Sequence, residues 1–492
     1  MLFSSITFLV FFLPAVLLFY YAIPRRVYRN CLLFLASLLF YAWGEPKFVF
    51  LMFASIVFNY IIGLFLGKNS GKKKLLLAFA ITANLGVLFV FKYLGFTCKI
   101  IDFLLAGLKL QPLTTLNLVM PIGISFYTFQ EISYLVDVYR KPELAQKNLL
   151  LLGLYITFFP QLIAGPIVRY HDINEQIENR KESIPQFADG LERFIVGLSK
   201  KILIANSMAV VADRIYEAEI MSYGTYLSWV AAISYALQIY YDFSGYSDMA
   251  IGLAKMFGFE LIENFNYPYA ASSITDFWKR WHISLTNFFR DYVYIPLGGN
   301  RKGKARTVLN RFIVFFTTGL WHGAAFNFIF WGLSHGALMT VERIDGKKTQ
   351  IQSCQTPKKN FFTLAHNVFH RVLTLLEVLL LWVLFRTGTK ESIKIFLKMI
   401  GINYRLFGKE MRPIIPNEIL FLSVDTKFFI IATIGILLSF PWWRKIKLFY
   451  SKNAVTSTIL MIIKYFSLGC LLLLCCASLA DNSYNPFIYF RF

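Results

Sequence analysis

The chain has 492 residues, 57% of them hydrophobic and 18% aromatic, far more apolar side chain than a water-soluble domain of that length needs to fill its core. A formal net charge of +22 would suit a nucleic acid, but Lys and Arg sit in short loops between apolar runs and not on one polar face, so nucleic-acid binding is not expected. That distribution fits cytoplasmic loops lying against anionic membrane lipids.

A helix needs about 20 mainly apolar residues to cross a hydrocarbon core. In chain order that template fits 2–23, 30–43, 47–66, 75–96, 116–138, 147–165, 190–212, 225–256, 308–340, 361–386, 427–443 and 455–479. The expected fold is all-α, a polytopic transmembrane helical bundle of about eleven spans, the remaining stretches being split or re-entrant. The first run, through Pro24, has no basic segment ahead of it and no small-residue cleavage site, so it reads as a retained span. Arg25, Arg26 and Arg29 follow it, and Lys68, Lys72, Lys73 and Lys74 follow the third run. Two intervening runs place both basic clusters on one side, the cytoplasmic one, with the N-terminus outside. No long polar block could fold separately in water, so residues 1–492 read as a single membrane domain. The six cysteines, Cys31, Cys98, Cys354, Cys470, Cys475 and Cys476, lie mostly in or beside apolar runs without paired metal-ligand spacing and read as packing residues.

Two stretches depart from plain spans. Residues 166–189 make an ordinary charged loop, whereas 257–306 mix aromatics and charges at a density too polar for lipid and too apolar for an exposed loop. Such a segment is buried in protein, lines a cavity or lies at the interface. Read as one helix from Asp276, it pairs Asp276 with Arg280 at i,i+4 and lines up Trp278, Trp281, Leu285 and Phe289 as an apolar stripe. An interfacial anchor is the plainer reading of that pattern. The run Gly298-Gly-Asn-Arg-Lys-Gly-Lys304 lacks P-loop spacing and reads as a basic turn.

Further on, His322 stands within an apolar, Gly-rich span beside Gly319, Gly323, Ala324 and Ala325. A neutral imidazole is the cheapest titratable group to place in a membrane, and near neutral pH it can take a hydroxyl proton and return it. Taken by itself, a packing histidine between helices is the preferred reading. His335 lies well round the helix from His322 at about 100° per residue and reads as structural. Gln130, Glu131, Gln161, Gln238, Asp242, Ser244, Ser247 and Asp248 also fall within apolar runs and need partners there; several are expected to converge inside the bundle, with bracing the safer reading of each.

Several of these residues fall in motifs that together resemble a known family. The motifs are Trp321-His322-Gly323, the upstream Phe-Trp-Lys-Arg-Trp-His282-Ile-Ser-Leu, Tyr241-Asp-Phe-Ser-Gly-Tyr-Ser-Asp248, Pro121-Ile-Gly-Ile-Ser-Phe-Tyr-Thr-Phe-Gln130 and Phe158-Phe-Pro-Gln-Leu-Ile-Ala-Gly-Pro-Ile-Val-Arg169. In order and joint presence they resemble the membrane-bound O-acyltransferase family, and more closely its bacterial alginate O-acetylase branch. The likeness runs from Met1-Leu-Phe-Ser-Ser to Asn485-Pro-Phe-Ile-Tyr-Phe-Arg-Phe492. It implies a multi-pass protein of the bacterial inner membrane whose re-entrant and interfacial helices form a central funnel. It also implies transfer of an acetyl group from a cytoplasmic donor across the membrane for O-acetylation of an exported polysaccharide.

In that family His322 matches the catalytic histidine, expected here as general base or hydrogen-bond activator of the accepting nucleophile, and His282 matches a second histidine that would orient donor or substrate. Acetyl-CoA or another activated acyl donor enters as substrate, with no metal or prosthetic group implied, and a periplasmic partner acetyltransferase and the polysaccharide are the expected partners. Lys279, Arg280, Arg290 and Arg301 are candidates for holding a phosphorylated donor, and Asp242, Trp321 and Asn327 complete the substrate-facing set. The alternatives are D-alanyl transfer to teichoic acid, or O-acetylation of peptidoglycan or cellulose. From a different class, a proton-coupled transporter would use His322 and buried acids as a relay, and a scaffold in an export complex would leave His322 replaceable.

Overall fold

The computed structural model describes residues 1–68, 71–113, 118–218, 220, 223–344, 361–402, 424–442, 454–481 and 484–485, so Cys354 lies outside the described residues. All regular structure among them is helical. The principal helices are α1 Leu13–Ala22, α2 Arg26–Ala42, α3 Phe48–Gly67, α4 Lys73–Leu88, α5 Leu94–Gly107, α6 Ile124–Arg140, α7 Leu149–Thr157, α8 Tyr170–Asn179, α9 Ile184–Ser199 and α10 Asn206–Glu217. There follow α11 Thr225–Met256, α12 Ile274–Trp278, α13 Ile283–Phe289, α14 Gly303–His322, α15 Phe326–Ile344, α16 Phe361–Arg386, α17 Thr389–Met399, α18 Thr426–Leu438 and α19 Ala454–Asp481. Among the described residues, five helical runs are long and apolar enough to cross a membrane: Phe48–Gly67, Lys73–Gly107, Ile184–Glu217, Ala365–Arg386 and Thr458–Asp481. Thr7–Ala22 and Thr426–Leu438 are shorter apolar helices.

Two expected stretches are broken. Residues 147–165 end as a helix at Thr157, where Phe158 leaves the helical region (φ −45°, ψ 106°) ahead of Pro160. A proline clashes with a continuing helix and lacks an N–H for it. Residues 308–340 are not one span but a hairpin of α14 and α15 joined through Gly323, whose backbone is extended.

The chain groups into two compact units, Met1–Phe194 with Tyr246–Glu263, and Ile195–Gly245 with Asn264–Phe492. The first has an aromatic core in which Phe3 stacks on Tyr246 (4.6 Å) and Phe12 meets Phe159 edge-on (5.5 Å). Charge there is neutralised locally: Glu182 lies against Arg26 (2.6 Å) and Arg29 (2.9 Å), and Arg193 bridges Asp248 (2.8 Å) and Glu263 (2.5 Å). Glu131, an acid within an apolar helix, accepts a hydrogen bond from Ser55 (2.6 Å). The second unit is built round Trp278, Trp281, Trp331, Trp382, Tyr240 and Phe385, all buried, and it contains both motif histidines.

Candidate active site

His322 is the last residue of α14. Glycines make the hairpin that carries it. A Cβ on Gly319 would run into the carbonyl oxygen of Phe328, one on Gly332 into that of Phe315, and one on Gly323 into the Phe328 ring. Only residues without side chains let two helices approach backbone to backbone. The hairpin therefore ends α14 inside protein, and the imidazole is buried among Trp321 (4.9 Å between ring centroids), Trp331 (5.1 Å) and Phe385 (5.1 Å), each meeting it edge to face. Asn327, at the start of α15, donates through its amide to the carbonyls of Leu384 (3.4 Å) and Phe385 (3.1 Å), which fixes the C-terminal end of α16 and hence the Phe385 ring.

His282 reaches the same place from a different element. The segment from Asp276 is not one helix: α12 ends at Trp278, and His282 takes the left-handed conformation (φ 44°, ψ 54°) before α13 begins. Consequently Trp278 and Trp281 are buried in the core, and the stripe expected to face the interface does not form. A left-handed non-glycine residue is a strained feature that surrounding contacts must hold. Those contacts come from Asn264, whose carbonyl accepts from the Ile283 N–H (3.0 Å) and whose side-chain Oδ1 accepts from the Ser284 N–H (3.2 Å) and hydroxyl (2.8 Å). Because a backbone N–H only donates, Oδ1 is an acceptor, and the His282 Nδ1 at 3.1 Å from it carries the proton. The neutral ring then presents its lone pair at Nε2, which has no hydrogen-bond partner among the described residues. His282 lies outside the candidate spans, and burial, with the charge of the His322 imidazole second, holds it well below the ordinary histidine range.

Trp321 joins the two histidines: its ring meets His322 at 4.9 Å and His282 at 5.8 Å. His282 also packs edge-on against Phe243 (4.6 Å). His335 is buried against Trp331 (4.9 Å), stacked on Phe277 at 6.1 Å. The structure thus brings His322, His282 and Trp321 together, with Asn327 acting through Phe385. Asp242 is committed elsewhere, in a fully buried ion pair with Lys201 (2.7 Å). Arg280 pairs with Asp276 (2.9 Å) at the expected i,i+4 spacing, Arg290 with Asp291 (2.7 Å), and Lys279 and Arg301 are exposed. Asp242, Glu131 and Asp248 each have a different partner.

Arg290 lines a cleft of about 240 Å³ with Trp278, Phe289, Tyr294, Arg311 and Phe315. Its wall is two rings from the catalytic candidate, since Trp278 meets Trp331 at 5.8 Å and Trp331 meets His322. Sequence reasoning missed Arg311, Trp331, Phe385 and Asn264. Asn264 lay in the flagged 257–306 segment, whereas Trp331 and Phe385 had only apolar helix neighbours to mark them.

Residues 90–376 match the model of the membrane-bound O-acyltransferase family. The probable alginate O-acetylase of Pseudomonas putida is 38% identical over 100% of both chains. A peptidoglycan O-acetyltransferase of Helicobacter pylori is 35% identical, covering 82% of this chain and 80% of its own. A teichoic acid D-alanyltransferase of Bacillus subtilis is 31% identical, covering 46% of this chain and 59% of its own.

Proposed function

The chain belongs to the membrane-bound O-acyltransferase family, and on that premise we propose that it passes an acetyl group from a cytoplasmic activated donor across the membrane for O-acetylation of an extracytoplasmic polysaccharide. The observation that carries the reading is the pair of imidazoles meeting on Trp321, two bases of different environment converging from separate elements. His322 acts as the general base. It accepts the proton of the attacking hydroxyl as that oxygen adds to the acetyl carbonyl carbon. The adduct collapses with loss of the donor's leaving atom, which takes the proton back from the imidazolium. His282, with a lone pair at Nε2, accepts a hydrogen bond and positions donor or acceptor. Arg290 and Arg311 sit at the cleft that a phosphorylated donor such as acetyl-CoA would use, with the apolar rings taking its acyl arm.

The same reading gives about eleven spans surrounding a funnel in the bacterial inner membrane, the two compact units acting as one domain, and a periplasmic partner transferase as recipient. Polysaccharide acetylation is preferred to D-alanyl transfer because full-length likeness is to an alginate O-acetylase, while the D-alanyltransferase likeness covers 46% of the chain. The test is the acetyl content of exported polysaccharide in a strain lacking the chromosomal copy and supplied with wild type or His322→Ala at matched membrane abundance. Loss of acetylation supports the enzyme reading. Unchanged acetylation removes His322 from the chemistry and promotes a scaffold or transporter.

A further inference from the structure

Away from the histidines, the first compact unit holds a cluster in which cations outnumber acids. Glu182 meets Arg26 (2.6 Å) and Arg29 (2.9 Å), and Arg180 stands 3.7 Å from the same carboxylate. No other acid among the described residues pairs with these three guanidiniums, so three positive charges face one negative charge, an excess of two (3 − 1). The Arg180 side chain is 1% exposed and lies over the Phe259 ring (4.2 Å), with Nε donating to the Phe257 carbonyl (3.1 Å) and Nη1 to that of Ile177 (2.6 Å). Its Nη2 has no hydrogen-bond partner among the described residues. Arg29 lies over the rings of Tyr20 (4.9 Å) and Tyr21 (5.5 Å), and its Nε donates to the Tyr20 carbonyl (3.2 Å). Excess charge held away from water is costly until an anion neutralises it.

The backbone attracts an anion to the same place. Helix α2 begins at Arg26 with no capping side chain and no acid in its first turn. Its first N–H groups therefore stand unpaired at the end that carries Arg26 and Arg29, and the helix dipole adds partial positive charge there. The cluster also has a defined level in the membrane. Arg25, Arg26 and Arg29 follow the first apolar run and share the cytoplasmic side with Lys68, Lys72, Lys73 and Lys74. Val27, in the first turn of α2, is 76% exposed, and Ile184, two residues from Glu182, is 86% exposed. Bare apolar side chains at the headgroup level meet acyl chains. A phospholipid brings a phosphate and its chains to such a place together, which a soluble phosphate does not.

We propose that Arg26, Arg29 and the N-terminus of α2 bind the phosphate of an anionic phospholipid in the cytoplasmic leaflet, with the charge of Arg180 beneath them. The site lies apart from acyl transfer and does not depend on that reading. The full chain, purified in detergent, is titrated with phosphatidylglycerol, with phosphatidylcholine of the same chains, and with the soluble anions glycerol 3-phosphate and coenzyme A. Bound lipid is read by native mass spectrometry. Phosphatidylglycerol is expected to bind about tenfold or more tighter than phosphatidylcholine, and neither soluble anion should displace it. Arg26→Gln/Arg29→Gln removes the preference, whereas Lys72→Gln/Lys73→Gln/Lys74→Gln, which takes more charge from the same side, keeps it. Val27→Glu sets a carboxylate at the mouth of the site without touching an arginine contact, and it also removes the preference. Glu182→Gln raises the excess charge from two to three and keeps or strengthens it, and thermal melting checks that each variant is folded. Equal binding of the two lipids, or loss of the preference in the lysine variant, overturns the proposal by reducing it to the general attraction of a basic surface. Unchanged preference in Val27→Glu or in the double arginine variant overturns it by placing the lipid elsewhere. Displacement by coenzyme A or glycerol 3-phosphate overturns it as well, by making this a site for a soluble phosphate.

Discussion

His322 and His282 are both buried imidazoles, yet they differ in what holds them. His322 is boxed by aromatic edges, while His282 is locked by the Asn264 carbonyls in a left-handed backbone. Replacing His322 with Ala is expected to lower transfer by about 10²–10⁴-fold with membrane abundance unchanged, measured as acetyl incorporation. Asn264→Ala releases the His282 tautomer, and an order-of-magnitude fall in turnover, about tenfold or more, is expected without loss of His322. Away from the site, His171 is raised above 6.5 first by its hydrogen bond to Asp137 (2.8 Å), opposed by partial burial. A raised folded-state value means the contribution to stability is complete below the unfolded value and is lost as pH rises through the folded one. The melting temperature of the wild type should therefore fall as pH rises above about 6.5 by an increment that His171→Gln lacks; equal pH profiles would show the pair contributes nothing. The residue types were legible in the sequence. Their partners were not, because Asn264 and His282 meet across a turn that no periodicity announces.

At the scale of elements, the α14–α15 hairpin turns on close approach. Gly319→Val or Gly332→Val should cost about 1–3 kcal/mol through overpacking and should also displace His322, so activity falls further than thermal stability alone explains. Helix α11 shows a second device. Asp242 pairs with Lys201, while the neighbouring Phe243 packs on His282, so the motif run both braces the helix and supplies a wall of the site. Asp242→Leu alone leaves the buried Lys201 ammonium without its counter-ion, a loss of about 3–5 kcal/mol, and Lys201→Met in the same chain should recover most of the melting temperature. Recovery of stability without recovery of transfer would show that the acid does more than brace. The apolar lengths in the sequence located these helices well, but 308–340 read as a single stretch because a hairpin of two apolar helices and one long span have the same composition.

For the molecule as a whole, orientation is the open physical variable that composition constrains most directly. A cysteine introduced at Asn300, in a background free of the native cysteines, should react with an impermeant maleimide only after permeabilisation, and one at Thr426 should react in intact cells; the reverse pattern would invert the assignment of donor and acceptor sides. The sequence by itself determined an all-helical membrane protein of this family, because apolar length, the placement of Lys and Arg, and the order of short motifs are one-dimensional properties written along the chain. Apart from the i,i+4 pair Asp276–Arg280, tertiary structure decided which charges pair with one another, and it alone decided which groups surround His322. Ion pairing such as Lys201–Asp242 and ring contacts such as Trp331–His322 depend on where separate helices end and how closely glycine lets them approach, and spacing along a single helix does not encode either.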